Sequence, residues 1–301
     1  MARYDKTPFS NLECIELLKE RGLIIENNDR VLKYLDTIGY YRLTGYMYHL
    51  QDKKNDSKFK VDTTFSNIID LYKFDKALRA IVLEYIERIE ICLKSKISNK
   101  YSLKYGFFWY LDSKLFADYT VFESIKKEID DTFKNPQEVF LKRFKSNYVD
   151  ETFPPSNMAL EILTFGKTSK LYKGLADIDL KKEIAKEFGQ ASSTLASWFV
   201  YINNIRNLCA HHSRLWNKKV TADRPIIPNR DIYKFNGSVP EGEDFNTTFY
   251  CIVSIMHRLL KSFNPDNTFT SKITNLIKTY NIDVELMGFP EDWETNATWH
   301  H

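Results

Sequence analysis

Residues 64 to about 103 carry an apolar side chain every three or four positions: Ile68, Leu71, Leu78, Ile81, Val82, Tyr85, Ile89, Cys92 and Leu93. That spacing predicts one long α-helix, because a 3.6-residue turn gathers those positions on a single face. Gly (10) and Pro (9) are scarce among the 301 residues and cluster in a few places; between the clusters the same period returns. It predicts helices over 10–21, 28–38, 135–148, 157–175 with a break at Gly166, 179–189, 192–216, about 247–262 and about 267–280. Ser10 or Asn11 is expected to cap the first, and Ser192 or Ser193 the most regular, 192–216. The aromatic stretch 39–50 reads as a turn into a short strand or as irregular helix, and few strands are convincing elsewhere. The expected fold is therefore all-α, helices packed on helices. The polar loop 51–60 separates a small N-terminal helical segment, 1–55, from a helical core at 60–225, with loop and helices of 226–301 packing on that core.

Several function classes are set aside early. Hydrophobic residues make up 43%, with 43 basic against 40 acidic side chains and a net charge of +3, so the chain is globular and its overall charge does not by itself point to nucleic acid. No apolar run approaches the ~18 residues a membrane span needs, and the N-terminus lacks the apolar core of a signal peptide. Cys14, Cys92, Cys209 and Cys251 form no CxxC pair and sit in apolar-periodic segments, which reads as reduced core thiols of a cytoplasmic protein. Glu84, Glu87 and Glu90 lie mostly off the long helix's stripe and suit a solvated face better than catalysis. His300 and His301 close the chain and are assigned nothing.

The segment IRNLCAHHSRLWN, residues 205–217, carries the chemistry. On a helical wheel centred on Ile202, Arg206 falls about 40° from the centre of the apolar stripe, where a cation must find a partner or line a cavity. His211 lies roughly opposite and His212 on the flank, so a straight helix does not aim Arg206 and His211 at one point. Either the helix bends or ends after Arg206, or another chain completes the site. Guanidinium is forked and always charged, which matches phosphate; imidazole gives or takes a proton near neutral pH. Together they suit cleavage of RNA by its own 2′-hydroxyl, with Asn207 orienting a ring nitrogen or a substrate oxygen. Adjacent histidines on a helix point about 100° apart and chelate poorly, so no metal and no cofactor is expected.

Local charge favours RNA. Gly189 to Ala222 contains no Asp or Glu, while Arg206, Arg214, Lys218 and Lys219 are basic, and Arg224 and Arg230 follow. A second acid-free stretch, 91–111, interleaves Lys94, Lys96, Lys100 and Lys104 with Tyr101, Tyr105, Phe107, Phe108, Trp109 and Tyr110. Lysines over phosphates with aromatics for stacking is an RNA-binding composition, although a helix running into an aromatic core strip explains it equally well. An arginine followed by a histidine after four to six intervening residues is a cheap pattern: about 0.7 matches arise by chance in such a chain, and beside Arg206–His211 and Arg206–His212 the chain has Arg42–His49 in a broken segment.

IRNLCAHHSRLWN resembles the signature of the Abi family, the AbiD/AbiF-type abortive infection proteins of the HEPN superfamily. LLKERGLIIENNDRVLKYLDTIGYYRLTGY (17–46), ALEILTFGKTSKLY (159–172) and MGFPEDW (287–293) resemble that family's other conserved stretches, with Thr164 where Ser is usual. The resemblance implies an all-α HEPN-type helical bundle, often a homodimer whose two Arg–His motifs meet to form one ribonuclease site. Carried over, Arg206 matches the motif arginine, Asn207 the polar residue and His211 the histidine, with His212 the fallback. Ser213 stands where some HEPN toxins have tyrosine, which puts that hydroxyl's role in doubt. The resemblance also implies anti-phage growth arrest and, for AbiF-like members, a structured noncoding RNA as regulator. Two expectations follow: a metal-independent endoribonuclease leaving 2′,3′-cyclic phosphate ends, or a non-catalytic module that holds RNA with the Arg–His helix as docking or dimer-packing element.

Overall fold

The computed structural model describes residues 7–52, 57–229, 235, 244–296 and 299; Arg230, His300 and His301 lie outside that set. Among the described residues are twelve α-helices and no strand, so the all-α expectation holds: α1 (Asn11–Glu20), α2 (Asn28–Ile38), α3 (Tyr40–Met47), α4 (Phe65–Tyr105), α5 (Tyr119–Lys134), α6 (Val139–Asn147), α7 (Ser156–Ala159), α8 (Phe165–Gly174), α9 (Ile178–Glu187), α10 (Ser192–Ala210), α11 (Phe249–Phe263) and α12 (Phe269–Tyr280). None is long and apolar enough to cross a membrane. The chain divides into two compact units. One takes the residues up to Leu78 together with Leu276–Ile282; the other takes Arg79–Asn275 and the residues from Asp283 onward.

In the first unit, Ser10 caps α1 through a reciprocal capping box with Glu13, and Asn27 accepts from the Arg30 amide at the start of α2. The stretch 39–50 resolves as helix: α3 runs straight into a 3₁₀ turn at Tyr48–Leu50. Leu43, Tyr46 and Met47 face its core, and the Tyr46 hydroxyl donates to the fully buried Asp75 at 2.6 Å. Within this unit Gln51 and Phe59 form an isolated antiparallel bridge.

The second unit is built around α10. Phe199, fully buried on that helix, takes edge-on contacts from Phe165 and Tyr172 of α8 and from Phe188 just after α9. Several helix ends and caps differ from the sequence reading, and α6 begins at Val139 instead of 135. The break in 157–175 falls at Leu160–Thr164, where Thr164 caps α8, and Gly166 sits inside that helix. There it serves closeness: a Cβ at Gly166 would stand 3.1 Å from Oδ1 of Asn203, so the missing side chain lets α8 approach α10. The start of α10 is capped by neither serine; Ala191 holds the N-cap position and makes no side-chain bond. And α10 stops at Ala210, six residues short of the expected 216. A further helix, α5, lies outside the spans the sequence predicts, although its buried Phe122, Ile125, Ile129 and Phe133 keep helical spacing. Glu84 is held by Lys272 at 2.8 Å and Glu90 by Lys94 at 2.8 Å. Cys14, Cys209 and Cys251 are buried, reduced cysteines and Cys92 is half-buried.

Candidate functional site

The end of α10 sets the site. His211 is its C-cap (φ −85°), and His212 turns left-handed (φ 56°). The His212 amide donates to the Cys209 carbonyl at 3.0 Å and the Ser213 amide to the Leu208 carbonyl at 2.9 Å, the two crossed bonds of a Schellman ending. Glycine usually occupies that left-handed position because a Cβ there is strained. This is why the periodic pattern overshoots: Trp216 is buried, as the stripe required, yet it lies beyond the helix.

After the turn the chain doubles back along α10 and is tied to it at two places. Asn204 Nδ2 donates to the Asp223 carboxylate at 3.0 Å and to the Ala222 carbonyl at 3.4 Å. Further along, Trp198 Nε1 donates to the Ile226 carbonyl at 2.9 Å, and the Ile226 amide to Ser197 Oγ at 3.0 Å. Helix and return segment enclose an open groove of about 350 Å³, with Asn204, Asn207 and His211 on the helix side and Ser213, Lys218 and Lys219 on the other.

Asn207 and His211 are thus brought together, four residues apart on one helix face. Arg206 is half-buried and reaches them only indirectly: its Nη1 donates to Asn207 Oδ1 at 3.5 Å, and no carboxylate pairs with it among the described residues. The His211 ring is exposed and has no hydrogen-bond partner among the described residues. His212 and the half-buried Arg214 do not line the groove. Lys219 is ion-paired with Asp244, whereas Lys218, half-buried, faces no carboxylate among the described residues. No group of three His, Cys, Asp or Glu side chains able to hold a metal gathers among the described residues.

The lysines of the second acid-free stretch lie elsewhere. Lys94 is buried against Glu90 and the Glu161 carbonyl. Lys96 pairs with Glu187 at 2.5 Å, Lys100 with Glu187 at 2.8 Å and Glu183 at 3.4 Å, and Lys104 with Asp177 at 2.7 Å. The acid-free run in sequence therefore meets the acids of α9 and its N-cap in space. Burial opposes ionisation of Asp177, but bonds from Lys104 and Tyr105 outweigh it and hold the carboxyl well below its ordinary range. Tyr101, Trp109 and Tyr110 are core, while Phe107 and Phe108 are exposed.

With this geometry in place, one comparison decides the family. The family model described as Abi-like protein matches residues 33–217, more than half of the chain. The chain belongs to the Abi-like protein family. Membership suggests an abortive-infection type of function, and the matched span closes on the end of the Abi-like protein's Arg–His segment. Comparison with curated proteins and with solved structures gave no match. Asn204 was missed in the sequence reading of this site, although Asn204, Asn207 and His211 recur at three and four residues; that polar stripe opposite the apolar one was a signal available from sequence.

Proposed function

We propose that this Abi-like protein is a metal-independent endoribonuclease of HEPN type, AbiD/AbiF-like, acting in abortive infection as a cytoplasmic homodimer. The observation that carries the reading is the groove at the end of α10, where Asn207, His211 and an unpaired Lys218 face one space and Arg206 bonds to Asn207 beside it. A sugar–phosphate linkage seated there meets an imidazole for proton transfer and a cation for its charge. In the reaction, a base takes the proton of the ribose 2′-hydroxyl and that oxygen attacks phosphorus. The bond to the 5′-oxygen breaks, and the leaving oxygen receives a proton. The products are a 2′,3′-cyclic phosphate and a 5′-hydroxyl. His211 supplies one proton transfer, Asn207 orients, and Arg206 stabilises the phosphorane. A second copy of the motif, brought by the partner chain, supplies the second proton-transfer group.

A second reading has its own support. Nothing among the described residues orients the His211 ring, and Arg206 does not line the groove itself. A module that grips a structured noncoding RNA without turnover fits those two facts. The test is cleavage of total RNA by purified protein in EDTA, with end-group analysis. Cyclic phosphate ends from the wild type, with Arg206→Ala and His211→Ala each reducing the rate by about 10²-fold or more, support the nuclease. Cleavage that requires Mg²⁺ or survives both substitutions overturns it. Tight RNA binding with a steep salt slope and no cleavage selects the binding module.

A further inference from the structure

We propose that the face of α10 from Ser193 to His211 is a track for one RNA strand, with a phosphate-accepting subsite at the end far from His211. This rests on the reading that the His211 groove receives a sugar–phosphate linkage, and it adds where the rest of the strand lies. A second cavity, of about 440 Å³, opens along the same helix, with Ser193, Ser197 and Val200 on its helix side. Those residues continue the stripe of Asn204, Asn207 and His211 at three- and four-residue steps, so both cavities share one face of α10. Ser193 and His211 are 18 positions apart, about 27 Å along the axis. The return segment walls both: Lys218 and Lys219 at the first, Asp223 and Arg224 at the second. Between them Asn204 is bonded to Ala222 and Asp223, so the return segment bridges the helix face there and a strand joining the two cavities passes over that bridge.

The second cavity is basic. Lys173, Lys181 and Arg224 line it, and no carboxylate pairs with Lys173 or Arg224 among the described residues. Asp223 is the acid on its wall, and its carboxylate accepts from Asn204. Lys181 is fixed by donating to the carbonyls of Lys173 and Leu175 at 2.9 and 3.1 Å, so its charge is held in place. Two cationic cavities on one helix face suit a polymer with regularly spaced phosphates. A peptide helix would need an apolar row, and Ala196, Val200 and Ile226 are too few to form one.

The test uses fluorescein-labelled oligouridylates, from a dinucleotide to a decanucleotide, titrated by anisotropy against full-length His211→Ala protein, with and without Lys173→Ala plus Arg224→Ala. Both added substitutions are at exposed positions, and circular dichroism checks the fold. The expected result is affinity that rises with length in the parent and stops rising in the variant. The decanucleotide then binds about tenfold weaker, the dinucleotide is unchanged, and the salt slope for the long strand falls by about 0.7 for each lost cation. Equal weakening of the dinucleotide and the decanucleotide would mean one confined pocket instead of an extended path and would overturn the track. So would length-independent affinity, or no binding at any length. Cleavage is scored separately on wild type. Length-dependent binding without cleavage leaves the track standing and removes the nuclease; cleavage with a variant that binds every length like its parent does the reverse.

Discussion

His212 offers a measurement in which backbone strain separates from side-chain chemistry. Its φ of 56° puts a β-carbon where the left-handed conformation costs about 1–2 kcal/mol. Glycine avoids that cost but gives back about 0.5–1 kcal/mol in unfolded-chain entropy. Comparing His212→Gly with His212→Ala cancels whatever the ring itself contributes, since both lack it. The glycine variant is therefore expected to be more stable than the alanine variant by about 1 kcal/mol, with His212→Asn between them because asparagine tolerates this region. In a unit the size of the one carrying α10, that is a difference of about 2–4 °C in melting temperature. Equal stability of the glycine and alanine variants would refute the left-handed ending. The same proteins test which imidazole acts. The crossed bonds from the 212 and 213 amides survive in His212→Gly, so His211 keeps its place and cleavage persists. Loss of cleavage in His212→Gly together with retention in His211→Ala would transfer the role to His212.

Two further expectations concern stability. Gly288 adopts φ 80°, and a Cβ there would stand 2.6 Å from the Cβ of Thr248, whose hydroxyl caps α11; Gly288→Ala combines strain with a displaced cap and is expected to lose about 2–3 kcal/mol in denaturant unfolding, and a loss under 1 kcal/mol contradicts that packing. Asp177 has a folded pKa below its ordinary 3.8, so its contribution is complete above that value and drains away as pH falls through the folded one. Asp177→Asn should accordingly flatten the decline of the urea midpoint below about pH 4; an unchanged decline would mean that the Lys104 and Tyr105 bonds do not form.

What the amino-acid order reveals here depends on whether the governing interaction is local. Residues 65–105 are legible as helix because their apolar positions recur without interruption, and α2 matches its expected bounds because asparagine and glycine punctuate it. The 39–50 stretch is ambiguous by contrast, since aromatics favour strands and glycines favour turns, and burial of Leu43, Tyr46 and Met47 decides for helix. Charge is the least legible. Lys96, Lys100 and Lys104 look like a basic strip because their partners Glu187, Glu183 and Asp177 lie more than 70 positions away in sequence.

The Arg206–His211 spacing acquires a meaning from the helix end that a wheel drawn through both residues cannot supply. If α10 continued to 216, His211 would stay on the face of Asn204 and Asn207, and the residues beyond it would keep turning around the axis. Because the helix stops at Ala210, the chain leaves the axis at His211 and returns antiparallel, so Lys218 and Lys219 arrive opposite Asn207 and His211. The cations that the acid-free run places downstream are thereby folded back over the residues that precede them. Arg206, one step around the helix from Asn207, stays on the adjoining face and is linked to the groove by a single long hydrogen bond. A spacer of four residues thus leaves the guanidinium on one helix face and the imidazole on the next, at the helix end, and a phosphate engaged by both would have to span that turn.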